Sequence, residues 1–211
     1  MSKFADTPKP VRYTRTDVVE TALRLLDELG LQDLSMRRLA QELDIQPSAL
    51  YWHVANKQTL LALVSDQIIS RGPAVETTDL DWKSATLAQA IAVRDALLAF
   101  RDGAEVVSST LALGLGAGEA LERIKSGLTQ AFEDESLCQV AAESILFLVL
   151  GQVWHQQQRM QASSLGLTSP DAEIWTEGAL QAPSAQANID TAEMGVRLLL
   201  DGLAVKHLST N

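Results

Sequence analysis

Apolar residues recur at intervals of three and four positions along most of the chain, and no segment alternates between apolar and polar residues as a half-buried strand would. This periodicity predicts an all-α protein. Between residues 14 and 72 it is interrupted at Gly30, before Pro47 and at Asn56, which are residue types that end or begin helices. We therefore expect four successive helices here, at about 14–29, 35–43, 47–54 and 57–71.

The second and third helices have the size and order of a helix-turn-helix unit, in which the second helix of the pair enters the major groove of DNA. Pro47 suits the first helical turn, because an N–H there would have no partner inside the helix. Leu50 and Val54 lie four positions apart and face the core, which leaves the opposite side free for DNA. The residues expected to contact DNA are Arg37, Arg38, Gln46, Pro47, Ser48, Ala49, Tyr51, Trp52, His53 and Lys57.

Each of these residues also has an ordinary structural explanation. Isolated aromatics at helical spacing are usually core residues, so Tyr51 and Trp52 taken singly would be assigned to packing and His53 to the surface. The whole set favours DNA binding. A capped helix, an arginine pair, a turn, a proline-started helix and an Asn-Lys cap follow one another in order within about 45 residues.

The chain is acidic overall but not in this segment. Its 17 Lys and Arg against 27 Asp and Glu give a net charge of -10, which disfavours nucleic acid as a partner for the whole surface. Residues 1–60 hold eight basic and eight acidic side chains, so the excess of acidic residues lies after residue 60. The single cysteine, Cys138, forms no internal disulfide, no signal peptide is evident, and the longest apolar run is shorter than the roughly 18 residues of a membrane span. A soluble cytoplasmic protein without membrane contact is expected.

A polar, acidic stretch at residues 74–81 separates this region from a larger helical one. Beyond it we expect helices at about 82–100, 104–112, 117–133, 137–162 and 188–207, and a loop at 163–187 with a turn of helix near 172–178. The glycines at 114, 116 and 118 predict a loop, because no strand precedes them as a dinucleotide fold requires. The expected organisation is an N-terminal arm and helix-turn-helix domain at 1–57, a connecting helix at 58–73 and a larger helical domain at 74–211.

Residues 14–72 resemble the N-terminal domain of TetR-type transcriptional repressors, through A-L-R-L-L-D-E-L-G-L-Q-D-L-S-M-R-R-L-A-Q-E-L and L-Y-W-H-V-A-N-K. The likeness to the tetracycline-repressor-like subgroup extends to L-Y-W-H-V, N-K and R-D-G-A-E-V at 101–106, and is patchy elsewhere. The resemblance implies operator contacts for Arg37, Pro47, Ala49, Tyr51, Trp52, His53 and Lys57. Ala55 stands where close relatives have a basic residue, so one phosphate contact is expected to be absent.

The resemblance also implies an all-helical C-terminal domain that binds a small effector and forms a homodimer through two helices packed as a four-helix bundle. The segment 137–160 is apolar around much of its circumference, and such a helix is normally buried on more than one side. The helix at 189–208 supplies the second half of the interface. A homodimer through the helices around 137–162 and 188–207, bound to a palindromic double-stranded DNA operator, is therefore expected.

The expected effector is a mostly apolar organic molecule. Val107, Phe147 and His155 stand at the subgroup's metal or outer-shell ligand positions and Leu111 replaces an arginine, so neither a metal nor tetracycline-magnesium is expected. No other cofactor is expected. His155 fits a solvated helix face equally well. The residues expected to line the effector pocket are Gln89, Val93, Leu97, Val107, Thr110, Leu111, Phe147, Gln152 and His155.

Two other functions are compatible with parts of the sequence. A hydrolase would use His155 with Glu143 or Asp102, but no nucleophile elbow, metal-ligand spacing or phosphate loop accompanies them, so an enzyme is not expected. A helical interaction module would use the third helix to contact a protein. The sequence does not distinguish a repressor from an activator, and it leaves open whether the effector weakens or strengthens DNA binding.

Overall fold

A computed structural model describes residues 13–164 and 191–210, with the side chains of the last helix described as far as Val205. Of the loop expected at 163–187, residues 163 and 164 are helical, and the rest, including the turn of helix near 172–178, lies outside the described part. Within it the chain is all-helical, as the periodicity predicts. The helices are α1 (Arg15–Leu29), α2 (Met36–Glu42), α3 (Pro47–Leu50), α4 (Lys57–Ser70), α5 (Trp82–Leu98), α6 (Gly103–Ala112), α7 (Gly118–Leu128), α8 (Glu135–Ser164) and α9 (Thr191–Thr210).

The first four helices form what we call the N-terminal unit. Thr14 caps α1 in a capping box: its side chain accepts the N–H of Asp17, and the carboxylate of Asp17 accepts the N–H of Thr14 at 2.7 Å. Ser35 and Asn56 cap α2 and α4 through single bonds, their side-chain oxygens accepting the N–H groups of Arg38 and Thr59. These caps place the helix starts where the sequence predicts them.

The third helix is shorter than expected. Regular α-helix ends at Leu50, and Tyr51 to His53 continue as tighter turns, with the N–H of His53 donating to the oxygen of Leu50 at 2.9 Å. Both Leu50 and Val54 are buried, as predicted, so the segment is held by its two apolar anchors rather than by helical length. Before α4 the backbone is extended at Asn56, the conformation in which its side chain caps that helix.

The remaining five helices form the C-terminal unit. Asp81 caps α5, and the hydroxyl of Ser84 and the N–H groups of Ser84 and Lys83 that donate to it hold the pKa of this carboxyl below its usual value. Helix α7 ends at Leu128, five residues before the predicted end. The chain turns there so that Phe132 packs edge-to-face on Trp82, with ring centroids 5.1 Å apart, at the start of α5.

Helix α8 is thirty residues long and packs against α5, α6, α7 and α9. Its most apolar 18 residues reach a mean hydropathy of 1.6, enough by length and composition alone to cross a membrane. Polar residues interrupt this window, so it contains no uninterrupted apolar run of that length. The core helix of a soluble protein passes the same test, and 44% of the window is buried inside the chain.

Candidate nucleic-acid interface

Two aromatic rings project from the outer side of the third helix. Trp52 is 89% exposed and Tyr51 is 55% exposed, whereas Leu50, one position before them, is fully buried. Neither ring is therefore a core residue, which removes the ordinary packing explanation. An exposed indole next to an exposed phenol leaves a large apolar area in water, and such areas mark binding surfaces.

The other residues predicted for this surface lie around the rings. Gln46, Pro47 and Ser48 are exposed at the start of α3, and Ala49 and His53 are half-buried beside them. Small and polar groups thus come first along the helix and the two rings follow at its end. This order suits a groove, because the short side chains permit close approach to base edges while the longer groups reach the sugar-phosphate backbone on either side.

The basic residues of the N-terminal unit divide into two groups. Arg24 bridges Glu28 and Glu42, and Arg71 is paired with Glu20, so these two arginines hold helices together. Arg37, Arg38 and Lys57 make no ion pair with any residue that the structure describes. They lie at the starts of α2 and α4, the helices on either side of α3, and are therefore available to phosphates.

Arg15 was not among the residues predicted from the sequence. It is the first residue of α1, is exposed, and has no ion-pair partner in the described part of the chain. The pKa of Asp17, in the same turn, is lowered chiefly by the hydrogen bonds that its carboxylate accepts from the main-chain N–H and the hydroxyl of Thr14. The sequence signal was the position of Arg15 directly after the N-cap.

The residues predicted to line an effector pocket fall into two groups, one inside the C-terminal unit and one on its surface. Val93, Leu97, Val107 and Thr110 are buried in the C-terminal unit, and Gln89, Leu111 and Gln152 are half-buried. The hydroxyl of Thr110 donates to the main-chain oxygens of Val106 and Val107, so it is occupied within its own helix. Phe147 and His155 lie instead on the outer surface of α8. A single chain does not bring these two side chains together with the buried residues, because they project from the opposite side of the helix.

Phe147 belongs to a stripe of exposed apolar side chains that runs along α8 and α9. On α8 it consists of Val140, Phe147 and Trp154, spaced seven residues apart, which is two helical turns. On α9 it continues through Met194, Leu198 and Val205. Added methyl groups at Gly151 and Gly202 would meet no atom within 4 Å, so the backbone of both helices is also open on this side. We call these six side chains the outer stripe.

The catalytic alternative finds little support in the geometry. His155 and Glu143 are twelve residues apart on one helix, a separation of about 18 Å at 1.5 Å per residue, so they cannot form an acid–base pair. His155 is exposed and stacks edge-to-face on Trp154, while Asp102 is buried and hydrogen-bonded to other groups. Among the described residues, no three His, Cys, Asp or Glu side chains are placed to hold a metal ion.

Known proteins resemble this chain over most of its length. The family model for bacterial regulatory proteins of the tetR family matches residues 18–64. The class C tetracycline repressor protein of Escherichia coli is 31% identical over 212 residues, which cover 95% of this chain and 94% of that protein. The structure of BioQ from Mycobacterium smegmatis superposes with a TM-score of 0.77 and 36% identity, covering 92% of this chain and 99% of the other. BioQ bound to its natural double-stranded DNA operator gives a TM-score of 0.73 and 35% identity, with the same coverage.

Proposed function

Because the chain belongs to the tetR family of bacterial regulatory proteins, we propose that it is a homodimeric cytoplasmic repressor, released from a palindromic operator by a small, mostly apolar organic effector. The observation that carries the DNA-binding part is the exposed face of α3, with Trp52 89% exposed between unpaired basic residues. BioQ, which shares this fold and 35% of the aligned residues, binds a double-stranded operator.

In the proposed complex α3 enters the major groove with its start foremost. Gln46, Ser48 and Ala49 approach base edges, and Tyr51 and Trp52 contact the backbone through the phenol hydroxyl and the indole N–H. Arg15, Arg37, Arg38 and Lys57 contact phosphates on the flanks. Two N-terminal units in a symmetric dimer would occupy half-sites about one helical turn apart, roughly 34–36 Å.

Release by an effector requires a mechanical link from the C-terminal unit to α4. One link is the carboxylate of Asp66 on α4, which accepts the N–H of Ala117 at 3.1 Å in the loop between α6 and α7. Next to it, a methyl group added at Gly116 would lie 3.1 Å from the main-chain oxygen of Ala62, so this loop rests directly on the α4 backbone. An effector that favours a different position of α6 would therefore move α4 and change the separation of the two N-terminal units.

The DNA-binding proposal predicts the behaviour of two alanine variants. Lys57→Ala is expected to weaken binding and to reduce the slope of log K against log salt by about 0.9 per half-site, or roughly 2 for a dimer, because one phosphate contact is lost at each. Tyr51→Ala is expected to weaken binding as well. Both are measured by fluorescence anisotropy with the intergenic duplex beside the gene, at several salt concentrations.

The matched control is Arg159→Ala, which removes an exposed basic residue from α8 and is expected to leave affinity unchanged. If both test variants bind like the unmodified protein, or if binding does not depend on salt, α3 is not the DNA-contacting element. The alternative, in which α3 binds a protein, predicts no change in elution volume when the protein is mixed with duplex before size exclusion.

A gain of affinity is expected from Ala55→Lys. Ala55 is exposed in the connection between α3 and α4, two residues from Lys57, so a lysine there would extend the basic flank without disturbing packing. One additional phosphate contact at each half-site steepens the salt slope by roughly 2. The same anisotropy titration measures the change, and Ala55→Gln serves as the uncharged control. An unchanged slope would show that this connection lies away from the DNA.

A further inference from the structure

We infer that the C-terminal end of α8 sets the orientation of the N-terminal unit through Asp102, with Gln161 as the positioning residue. This contact is separate from the link through α4 and is built from polar groups that the proposed DNA and effector contacts do not use. It joins three parts of the chain that are far apart in sequence: the turn after α1, the corner between α5 and α6, and α8.

Asp102 is the centre of the contact. It is only 8% exposed and has a left-handed backbone conformation with φ of 55°, which few residues other than glycine adopt. One carboxylate oxygen accepts the N–H of Leu31 at 2.8 Å, and the other accepts a hydrogen bond from the side-chain amide of Gln161. A buried carboxylate must be hydrogen-bonded to be stable, so both donors contribute to its position.

Gln157, one helical turn before Gln161, holds the corner itself. This buried side chain donates to the main-chain oxygens of Leu97 and Phe100 at 3.0 and 2.9 Å, and its own oxygen accepts the N–H of Ala104 at 3.3 Å. The end of α5 and the start of α6 are therefore tied to α8. Asp102 stands in the chain between Phe100 and Ala104, which Gln157 holds. The position of its carboxylate is therefore set by α8.

The turn after α1 is shaped to receive this carboxylate. Gly30 has φ of +88°, and a methyl group added there would lie 2.9 Å from the carboxylate of Asp102. On the other side of the turn, the carboxylate of Asp27 accepts the N–H of Arg101 at 3.1 Å. The N-terminal unit thus offers one donor and one acceptor to adjacent residues of the corner, a two-point contact that fixes direction as well as distance.

Apolar packing does not fill this junction. A cleft of about 320 Å³ opens beside it, bordered by Asp27 and Arg101 on one side and by Met160 and Ser164 of α8 on the other. The hydrogen bonds therefore carry much of the orientation here. Because α8 also carries half of the outer stripe, dimer formation and the direction of the N-terminal unit would be linked through one helix, a consequence that rests on the proposed function.

The test is amide hydrogen exchange followed by NMR on the full-length protein. Gln161→Met keeps the length of the side chain and removes its donor, and we expect the exchange rate of the Leu31 amide to rise roughly tenfold, since a hydrogen bond to a charged group is lost from Asp102. The amide of Thr59, capped by Asn56 within the same N-terminal unit, is expected to keep its rate. Gln156→Met, at an exposed position on the same helix, is expected to leave both rates unchanged.

Gln161→Lys provides the complementary variant, because its ammonium group can again donate to Asp102. It is expected to bring the Leu31 rate back to within about twofold of the unmodified protein. If Gln161→Met leaves the Leu31 rate unchanged, or raises the Thr59 rate equally, Asp102 holds the turn without α8 and the inference is overturned. Should Gln161→Met fail to fold, Gln161→Ala at this half-exposed site allows the same comparison. No DNA enters the measurement, so its failure is distinguishable from a failure of the proposed function.

Discussion

Replacing Phe147 by glutamate is expected to convert the protein from a dimer to a monomer. Phe147 is 57% exposed at the middle of the outer stripe, where a second copy of the chain would cover it. In a two-fold interface each copy presents the same residue, so one substitution acts twice. If each central aromatic contributes about 2 kcal/mol, the dissociation constant rises on the order of a thousandfold. Sedimentation velocity across a range of protein concentrations measures this change directly.

The control for this substitution is Leu113→Glu. Leu113 is 59% exposed, close to the value for Phe147, but lies at the end of α6 and outside the outer stripe. The same charge at matched exposure is expected to leave the dimer intact. Leu198→Glu on α9 is expected to behave like Phe147→Glu, because both helices contribute to the stripe. A protein that remains dimeric with either stripe substitution would show that the two copies meet elsewhere.

Loss of the dimer also has a consequence for DNA. A single N-terminal unit contacts one half-site, so the second half-site no longer adds its phosphate contacts. Phe147→Glu is therefore expected to halve the salt slope, although Phe147 lies on α8 and not on the face of α3. Lys57→Ala and Phe147→Glu thus weaken operator binding for different reasons. Only the second of them changes the mass of the free protein.

The N-terminal unit could be predicted in detail because its signals are local. Ser35 and Asn56 start their helices by accepting the N–H of the residue three positions later, and Pro47 suits the start of α3 because it has no N–H that needs a partner. A pattern read along the chain contains this information. The end of α3 was less predictable. Leu50 and Val54 keep helical spacing whether the turns between them are α-helical or tighter, since both arrangements bury the same two side chains.

In the C-terminal unit the apolar pattern of a helix does not determine which of its sides faces the rest of the chain. Helix α8 is apolar around its circumference, which predicts burial on more than one side but does not say which side faces the chain itself. The resemblance places Phe147 at a ligand position of the pocket, whereas its side chain is exposed on the outer surface of α8. No local sequence pattern predicts the polar network of Asp102, Gln157 and Gln161, because its hydrogen bonds connect residues 53 to 71 positions apart.

Gly127→Ala is expected to destabilise the C-terminal unit strongly. Helix α7 crosses α5 so closely that a methyl group at position 127 would lie 2.4 Å from the hydroxyl oxygen of Thr86 and 2.5 Å from its main-chain nitrogen. The hydroxyl could rotate away, but the main chain of α5 cannot, so α7 must move outward and lose contacts along its buried side. Overpacking of this kind costs about 3 kcal/mol, which for a chain of this size lowers the melting temperature by roughly 6–12 °C.

Gly118→Ala is the matched control because it makes the same change at the first residue of the same helix. A methyl group there meets no atom within 4 Å, so we expect a melting temperature unchanged or raised by a few degrees, since alanine favours helix. The double variant Gly127→Ala with Thr86→Ala separates the two sources of the clash. Removing the hydroxyl leaves the main-chain nitrogen in place, so the double variant is expected to melt no higher than Gly127→Ala alone. Recovery of the melting temperature would instead show that the side chain, and not the approach of the two backbones, limits the size of residue 127.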